Sequence, residues 1–124
     1  MIKSTLKKNF LAFLYPIRYI IGMHILKKTA LFDTWLKGLR DITGKGKILV
    51  RIKRAESGNL GDYKALGSGL YEMRIDYGPG YRLYFMKDQN TIILLLSGGI
   101  KSSQEKDIKK ALNMIKEITV HHGN

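Results

Sequence analysis

The chain has 124 residues, with 22 Lys+Arg against 10 Asp+Glu for a formal charge of +12, and no cysteine. That length supports one domain around one core, and the missing cysteine excludes a disulfide framework, a thiolate nucleophile and a thiolate-bound metal, which fits a reducing cytoplasm. The excess charge selects a polyanionic partner: nucleic acid, an acidic protein or an anionic membrane.

The first 28 residues hold Lys3, Lys7, Lys8, Arg18, Lys27 and Lys28 and no acid. Pro16 and Arg18 interrupt the apolar stretch, and no small-x-small cleavage site follows, so the segment does not read as a signal peptide. Its charge-free run falls far short of the roughly 20 residues of a spanning helix. Leu6, Phe10, Leu14, Ile17 and Ile21 lie near the spacing of a surface amphipathic helix. Met23 begins a compact domain by itself, so residues 1–22 read as an extension or loosely held leader, and residues 23–120 as the domain.

Residues 24–28 alternate weakly and are predicted as a first strand. Thr29 is the expected N-cap of a helix in which Phe32, Trp35, Leu36 and Leu39 share one face, with Trp35 in the core. Gly44 and Gly46 are expected to loosen the junction to a second helix over residues 45–56, with Ile48, Leu49, Ile52 and Ala55 as its buried stripe. Lys47, Arg51 and Arg54 fall on another face with Lys53 nearby. Two short helices joined in this way form a helical hairpin.

The cluster from Ser57 to Asp62 ends the helical region, and residues 63–66 are predicted as a short strand closed by Gly67-Ser68-Gly69. Next, Tyr71, Met73, Ile75 and Tyr77 alternate with Glu72, Arg74 and Asp76, and after Gly78-Pro79-Gly80 a strand alternates Tyr81, Leu83 and Phe85 with Arg82, Tyr84 and Met86. A three-residue turn pairs Tyr77 with Tyr81, Asp76 with Arg82, Arg74 with Tyr84 and Ile75 with Leu83, leaving arginines and tyrosines on the face opposite the core. Asp88-Gln89-Asn90 is the following turn. The apolar run 92–96 is a central strand that Ser97-Gly98-Gly99 is expected to end. Ser102 and Glu105 are spaced as a capping box for a last helix with Ile108, Leu112, Ile115 and Ile118 as its stripe, followed by a polar tail from His121 to Asn124. There is no internal repeat and no linker long enough to separate domains.

The sequences Asn59-Leu60-Gly61-Asp62, Tyr77-Gly78-Pro79-Gly80-Tyr81-Arg82-Leu83-Tyr84 and Ser97-Gly98-Gly99-Ile100-Lys101-Ser102-Ser103-Gln104, with Phe32-Asp33-x-Trp35-Leu36 ahead of them, resemble the RelE/HigB-type toxins of bacterial type II toxin–antitoxin modules. The resemblance is closest to the phage-derived HigB-like group, also called addiction module killer proteins, and runs from about Met23 to Lys116. It implies an α+β, RelE-like fold: a small antiparallel-rich sheet packed on an N-terminal helical hairpin, with a C-terminal helix. It also implies a cytoplasmic, metal-independent endoribonuclease (an mRNA interferase, a hydrolase without cofactors) that cuts translated mRNA on the ribosome. The implied partners are the mRNA, the ribosome and a cognate antitoxin of the helix-turn-helix DNA-binding kind, with no membrane. Ile100 stands where that group has an acid, which removes a polar group beside Lys101. Members of the same superfamily, the ParE-like toxins, inhibit DNA gyrase, and shared fold does not fix function. A basic nucleic-acid-binding domain without catalysis is the third reading.

Metal-free RNA cleavage needs a base for the 2′-OH, an acid for the 5′-oxygen and cations around the phosphorane. His24, His121 and His122 offer no central pair. The candidates that remain are Arg74, Arg82, Tyr84 and Lys101. Arginine stays cationic and grips phosphate through paired N–H donors. Tyr84 and Lys101 are the candidate base, and Arg82 and Lys101 the charge-stabilising groups or assistants to the leaving oxygen. Unperturbed phenol and ammonium groups titrate at about 10 and about 10.4, so a base role needs neighbouring positive charge, which Arg74 opposite Tyr84 would provide. Lys47, Arg51, Lys53 and Arg54 are the candidate RNA-backbone contacts. The glycine-rich stretches lack the Gly-Lys-Ser/Thr of a nucleotide loop, and no His/Cys/acid cluster suggests a metal.

Overall fold

The computed structural model describes residues 24–88 and 92–122, with side chains as far as Ile118. The leader 1–22, the turn residues Gln89 and Asn90, and the side chains of the His121–Asn124 tail lie outside the described residues. In chain order the elements are β1 (Ile25–Lys28), α1 (Ala30–Gly38), α2 (Ile42–Glu56), β2 (Tyr63–Gly67), β3 (Leu70–Ile75), β4 (Tyr81–Asp88), β5 (Ile92–Ile100), a 3₁₀ turn (Lys101–Ser103) and α3 (Gln104–His122). Among the described residues no helix is long and apolar enough to cross a membrane.

The strands form one mixed five-stranded sheet in the order β1-β5-β4-β3-β2, with β1 parallel to β5 and every other pair antiparallel. Strand alternation sorts side chains to two faces. On one face Met73, Ile75, Tyr81, Leu83, Phe85, Ile93 and Leu95 meet Phe32, Leu36, Ile48 and Ala55 of the helical hairpin. On the other, Leu70, Tyr84 and Leu96 meet Ala111 and Ile115 of α3. The architecture is α+β, with the hairpin and the last helix on opposite sides of the sheet.

Thr29 caps α1, its hydroxyl accepting from the Phe32 amide at 3.0 Å and donating to the Leu96 carbonyl at 2.7 Å. The second helix starts earlier than its apolar stripe announces. The Asp41 carboxylate accepts from the Gly44 amide at 3.0 Å, so both glycines of the expected junction lie inside α2. Gly44 is required there by packing: a Cβ would stand 2.6 Å from the Tyr81 ring.

The β3–β4 register differs from the predicted one by two residues. The turn takes residues 76–80, so Ile75 faces Tyr81, Arg74 faces Arg82, Met73 faces Leu83 and Glu72 faces Tyr84. A shift of two preserves which side each residue points to, so alternation alone does not distinguish the registers. The wider turn holds its own hydrogen bonds, from the Tyr77 amide to Ile75 O at 2.9 Å and from the Gly80 amide to Tyr77 O at 3.0 Å.

Ser97-Gly98-Gly99 does not end β5, which continues to Ile100. The glycines are in the strand because bulky groups press on both faces. A Cβ on Gly98 would collide with the Trp35 ring, and one on Gly99 with the Asp107 carboxylate. A bulge opposite Tyr84/Phe85 accommodates one extra residue in β5. The expected Ser102–Glu105 capping box gives way to the 3₁₀ turn, where the Ser103 hydroxyl donates to Asp107 at 2.6 Å.

Candidate phosphate-binding corner

Three of the four candidate catalytic residues gather where β3 ends, β4 begins and β5 runs into the 3₁₀ turn. Arg74 and Arg82 are directly opposed across β3 and β4 on the α3 side of the sheet. Lys101 follows β5, and its amide donates to Pro79 O in the 76–80 turn at 3.3 Å. A point one Cβ out from Gly80 lies 3.2 Å from Lys101 Cβ and 3.5 Å from Arg82 Nη1, so the stem of Lys101 and the Arg82 guanidinium flank a glycine that has no side chain to separate them. Gly80 has a φ of 79°, a left-handed conformation that suits glycine.

The two arginines are held differently. Arg82 is only 9% exposed, its Nη1 donates to the Tyr81 carbonyl at 3.3 Å, and its Nε has no partner. Among the described residues no carboxylate lies within 4.0 Å of it. The Arg74 side chain is 37% exposed and pairs with Asp62 at 3.2 Å. That contact is open to water, so it exchanges readily for another anion.

Tyr84 is not at this corner in any accessible sense. It is fully buried among Leu70, Leu96, Ala111 and Ile115, beneath α3. With the register moved, Glu72 rather than Arg74 is its opposite number. Burial, and then the negative charges of Glu72 and Asp107, push the phenol pKa well above its ordinary value, and the opposing effect of Arg82 does not offset them. The expectation of a phenol activated by neighbouring arginine is therefore reversed. Glu72 is itself sealed, and its Oε2 accepts from Gln104 Nε2 at 2.7 Å. That bond anchors the start of α3, and with it the 3₁₀ turn that carries Lys101.

The four basic residues of α2 also separate. Arg51 crosses from the helix to the chain beside β3, where its guanidinium donates to the carbonyls of Arg74 at 2.6 Å, Leu60 at 2.9 Å and Asp62 at 3.1 Å. Gly61, with a φ of 65°, lets it through, because a Cβ there would sit 2.8 Å from the guanidinium. Arg51 is thus a clip between helix and sheet. Lys47 lies over the Tyr77 ring, 5.0 Å from its centre, while Lys53 and Arg54 are exposed on the outer surface.

Sequence reasoning missed Glu72, Gln104, Asp62 and Asp107. Strand alternation put Glu72 beside Arg74 and made it look solvent-facing, because nothing local announces that α3 covers that stretch. The Gly98-Gly99 pair was the available signal: adjacent glycines within an apolar strand mark close approach on both faces.

Fold and corner together define a small, basic α+β protein with a cationic corner at one end of its sheet. No known protein-family pattern matches the chain. It is 45% identical over 93 residues to a protein of Haemophilus influenzae described as uncharacterized, an overlap of 75% of this chain and 94% of the relative, and it belongs to that protein's family. A similar solved chain is the solution structure of the conserved hypothetical protein HP0894 from Helicobacter pylori, 20% identical with a TM-score of 0.45, covering 64% of this chain and 97% of that one.

Proposed function

We propose that this protein is a toxin of the RelE/HigB type, a metal-independent endoribonuclease that cuts translated mRNA and is held in check by a cognate antitoxin. The observation that carries the reading is Arg82: a nearly buried guanidinium without a carboxylate partner among the described residues, sharing one corner with Lys101. A buried, uncompensated cation is costly, and a phosphate entering at Gly80 relieves that cost. The +12 charge and the resemblance of the motifs at this corner support RNA as the source of the phosphate.

In this reading Arg82 and Arg74 hold the non-bridging oxygens, with Arg74 exchanging Asp62 for the phosphate. The 2′-oxygen attacks phosphorus in line, its proton passes to water, and the exposed Lys101 ammonium protonates the departing 5′-oxygen. The products are a 2′,3′-cyclic phosphate and a 5′-hydroxyl. With Tyr84 sealed, the candidate bases named from the sequence leave none for the 2′-OH at the corner among the described residues. The acceleration then rests on charge stabilisation and on orientation of the message by the ribosome.

The missing base is also the observation that favours a second reading, a toxin of the same architecture that inhibits gyrase. Induced expression of the full chain, with RNA and DNA both examined, separates the two. Loss of translated messages through cuts mapped within codons, abolished by Arg82→Ala and by Arg74→Ala while the variants still fold, supports the nuclease. Intact messages with broken DNA support gyrase inhibition. A harmless wild-type chain leaves a non-catalytic binding module.

A further inference from the structure

We infer that Tyr77, with Lys47 over its ring, is a nucleobase-stacking platform next to the phosphate corner, so that the protein reads a base as well as a backbone. The inference rests on the RNA reading above and deepens it.

Tyr77 and the corner belong to one rigid turn. The Tyr77 amide and carbonyl are both hydrogen-bonded, to Ile75 O and from the Gly80 amide, and the same turn is tied to Lys101 through Pro79 O. Gly78 and Gly80, with φ of 55° and 79°, give the chain the left-handed bends that fix this shape. Tyr77 therefore opens the turn that Gly80 closes between Arg82 and Lys101. Tyr77 packs on the hairpin side of the sheet and the two arginines lie on its α3 side, so a strand whose phosphate rests at Gly80 passes round the end of the 76–80 turn to lay its next base on the ring.

The chemistry of the Tyr77–Lys47 pair suits that nucleotide. Tyr77 packs partly against the core, which stiffens the ring, and it is half-buried, so part of it meets solvent. Lys47 is exposed and has no ion-pair partner among the described residues; the ring is what it touches. An exposed cation–π contact is weaker than the stacking of a base on an aromatic ring, so an arriving base displaces the lysine. The displaced ammonium is then available to the nucleotide's phosphate. Arg51, one helical turn further on, is engaged by three carbonyls and does not compete for that phosphate.

The test is fluorescence anisotropy with a short labelled RNA carrying 2′-O-methyl riboses, which binds without being cut, and the same strand with a run of abasic sites. The wild-type chain should favour the base-bearing strand about tenfold. Tyr77→Leu, which keeps an apolar side chain, should lose that preference and bind both strands alike; Tyr77→Phe should restore it. Arg82→Ala should weaken both strands equally. A folded Tyr77→Leu that keeps the preference, or that weakens both strands equally, overturns the inference while leaving the RNA reading standing. A wild-type chain that binds neither strand overturns both. Lys47→Ala, a surface change that keeps the test open if Tyr77→Leu does not fold, should lower the slope of log affinity against log salt by about one contact. An unchanged slope together with an unchanged base preference overturns the platform.

Discussion

Removing one oxygen from Tyr84 separates a catalytic phenol from a packed one. The hydroxyl is fully buried beneath α3 beside the Glu72 carboxylate, without a well-formed hydrogen bond, and its surroundings are Leu70, Leu96, Ala111 and Ile115. A buried hydroxyl left unsatisfied costs about 1–3 kcal/mol. Tyr84→Phe removes that cost and leaves a gap no larger than an oxygen, worth about 0.3 kcal/mol at 24 cal/mol per Å³. Glu72 keeps the Gln104 bond to its Oε2, and its Oε1 is without a geometrically formed partner before the substitution as after it. The variant should be more stable by about 1 kcal/mol, a rise in Tm of about 4–8 °C for a domain of this size. Thermal melts and urea titrations measure the gain, and under the function proposed above toxicity should persist.

The same substitution has an alkaline signature. Because folding raises the Tyr84 pKa, the wild-type stability contribution is fully present below the unfolded value of about 10 and is lost as pH rises towards the folded one. Tyr81, raised to about 12 by its hydrogen bond to Asp41 and then by burial, behaves the same way in both proteins and cancels. The advantage of Tyr84→Phe over wild type should therefore widen above about pH 10. A folded variant that is no more stable, shows no widening and no longer kills would mean that the phenol reaches substrate, and the account of a sealed Tyr84 would be wrong.

Two further substitutions probe the packing that builds the corner. Gly98→Ala drives a methyl into the Trp35 ring and should cost about 1–3 kcal/mol, whereas Gly99→Ala meets the movable Asp107 carboxylate, should cost less, and should be relieved by Asp107→Ala; equal losses in chemical denaturation would contradict this. Arg51→Ala breaks charge-assisted bonds to three carbonyls and should destabilise by about 2–3 kcal/mol, while the exposed Arg54→Ala should change stability by under about 0.5 kcal/mol. Similar melting temperatures for those two variants would show that Arg51 is not a clip.

The differences between the expected and observed sheet share one cause. Alternation in β3 and β4 fixes sides but not register, so Arg74 with Tyr84 and Arg74 with Arg82 satisfy the pattern equally. The turn's own hydrogen bonds at Tyr77 and Gly80 choose between them. In the same way, glycine at positions 98 and 99 reads locally as the end of a strand. It is the approach of Trp35 on one side and Asp107 on the other, both distant in sequence, that makes glycine necessary within it.

Composition and periodicity alone determined the basic α+β character of the chain, the order of its elements, the Thr29 cap and the side on which Arg74 and Arg82 lie. Each of these depends on neighbours a few residues apart or on total charge. Tertiary structure alone decided that Tyr84 is sealed, that Arg51 is a clip and that Arg82 meets Lys101 at Gly80. Those outcomes depend on where α3 and the 59–62 segment settle, and a side chain's exposure and charge environment are set by groups that only folding brings beside it.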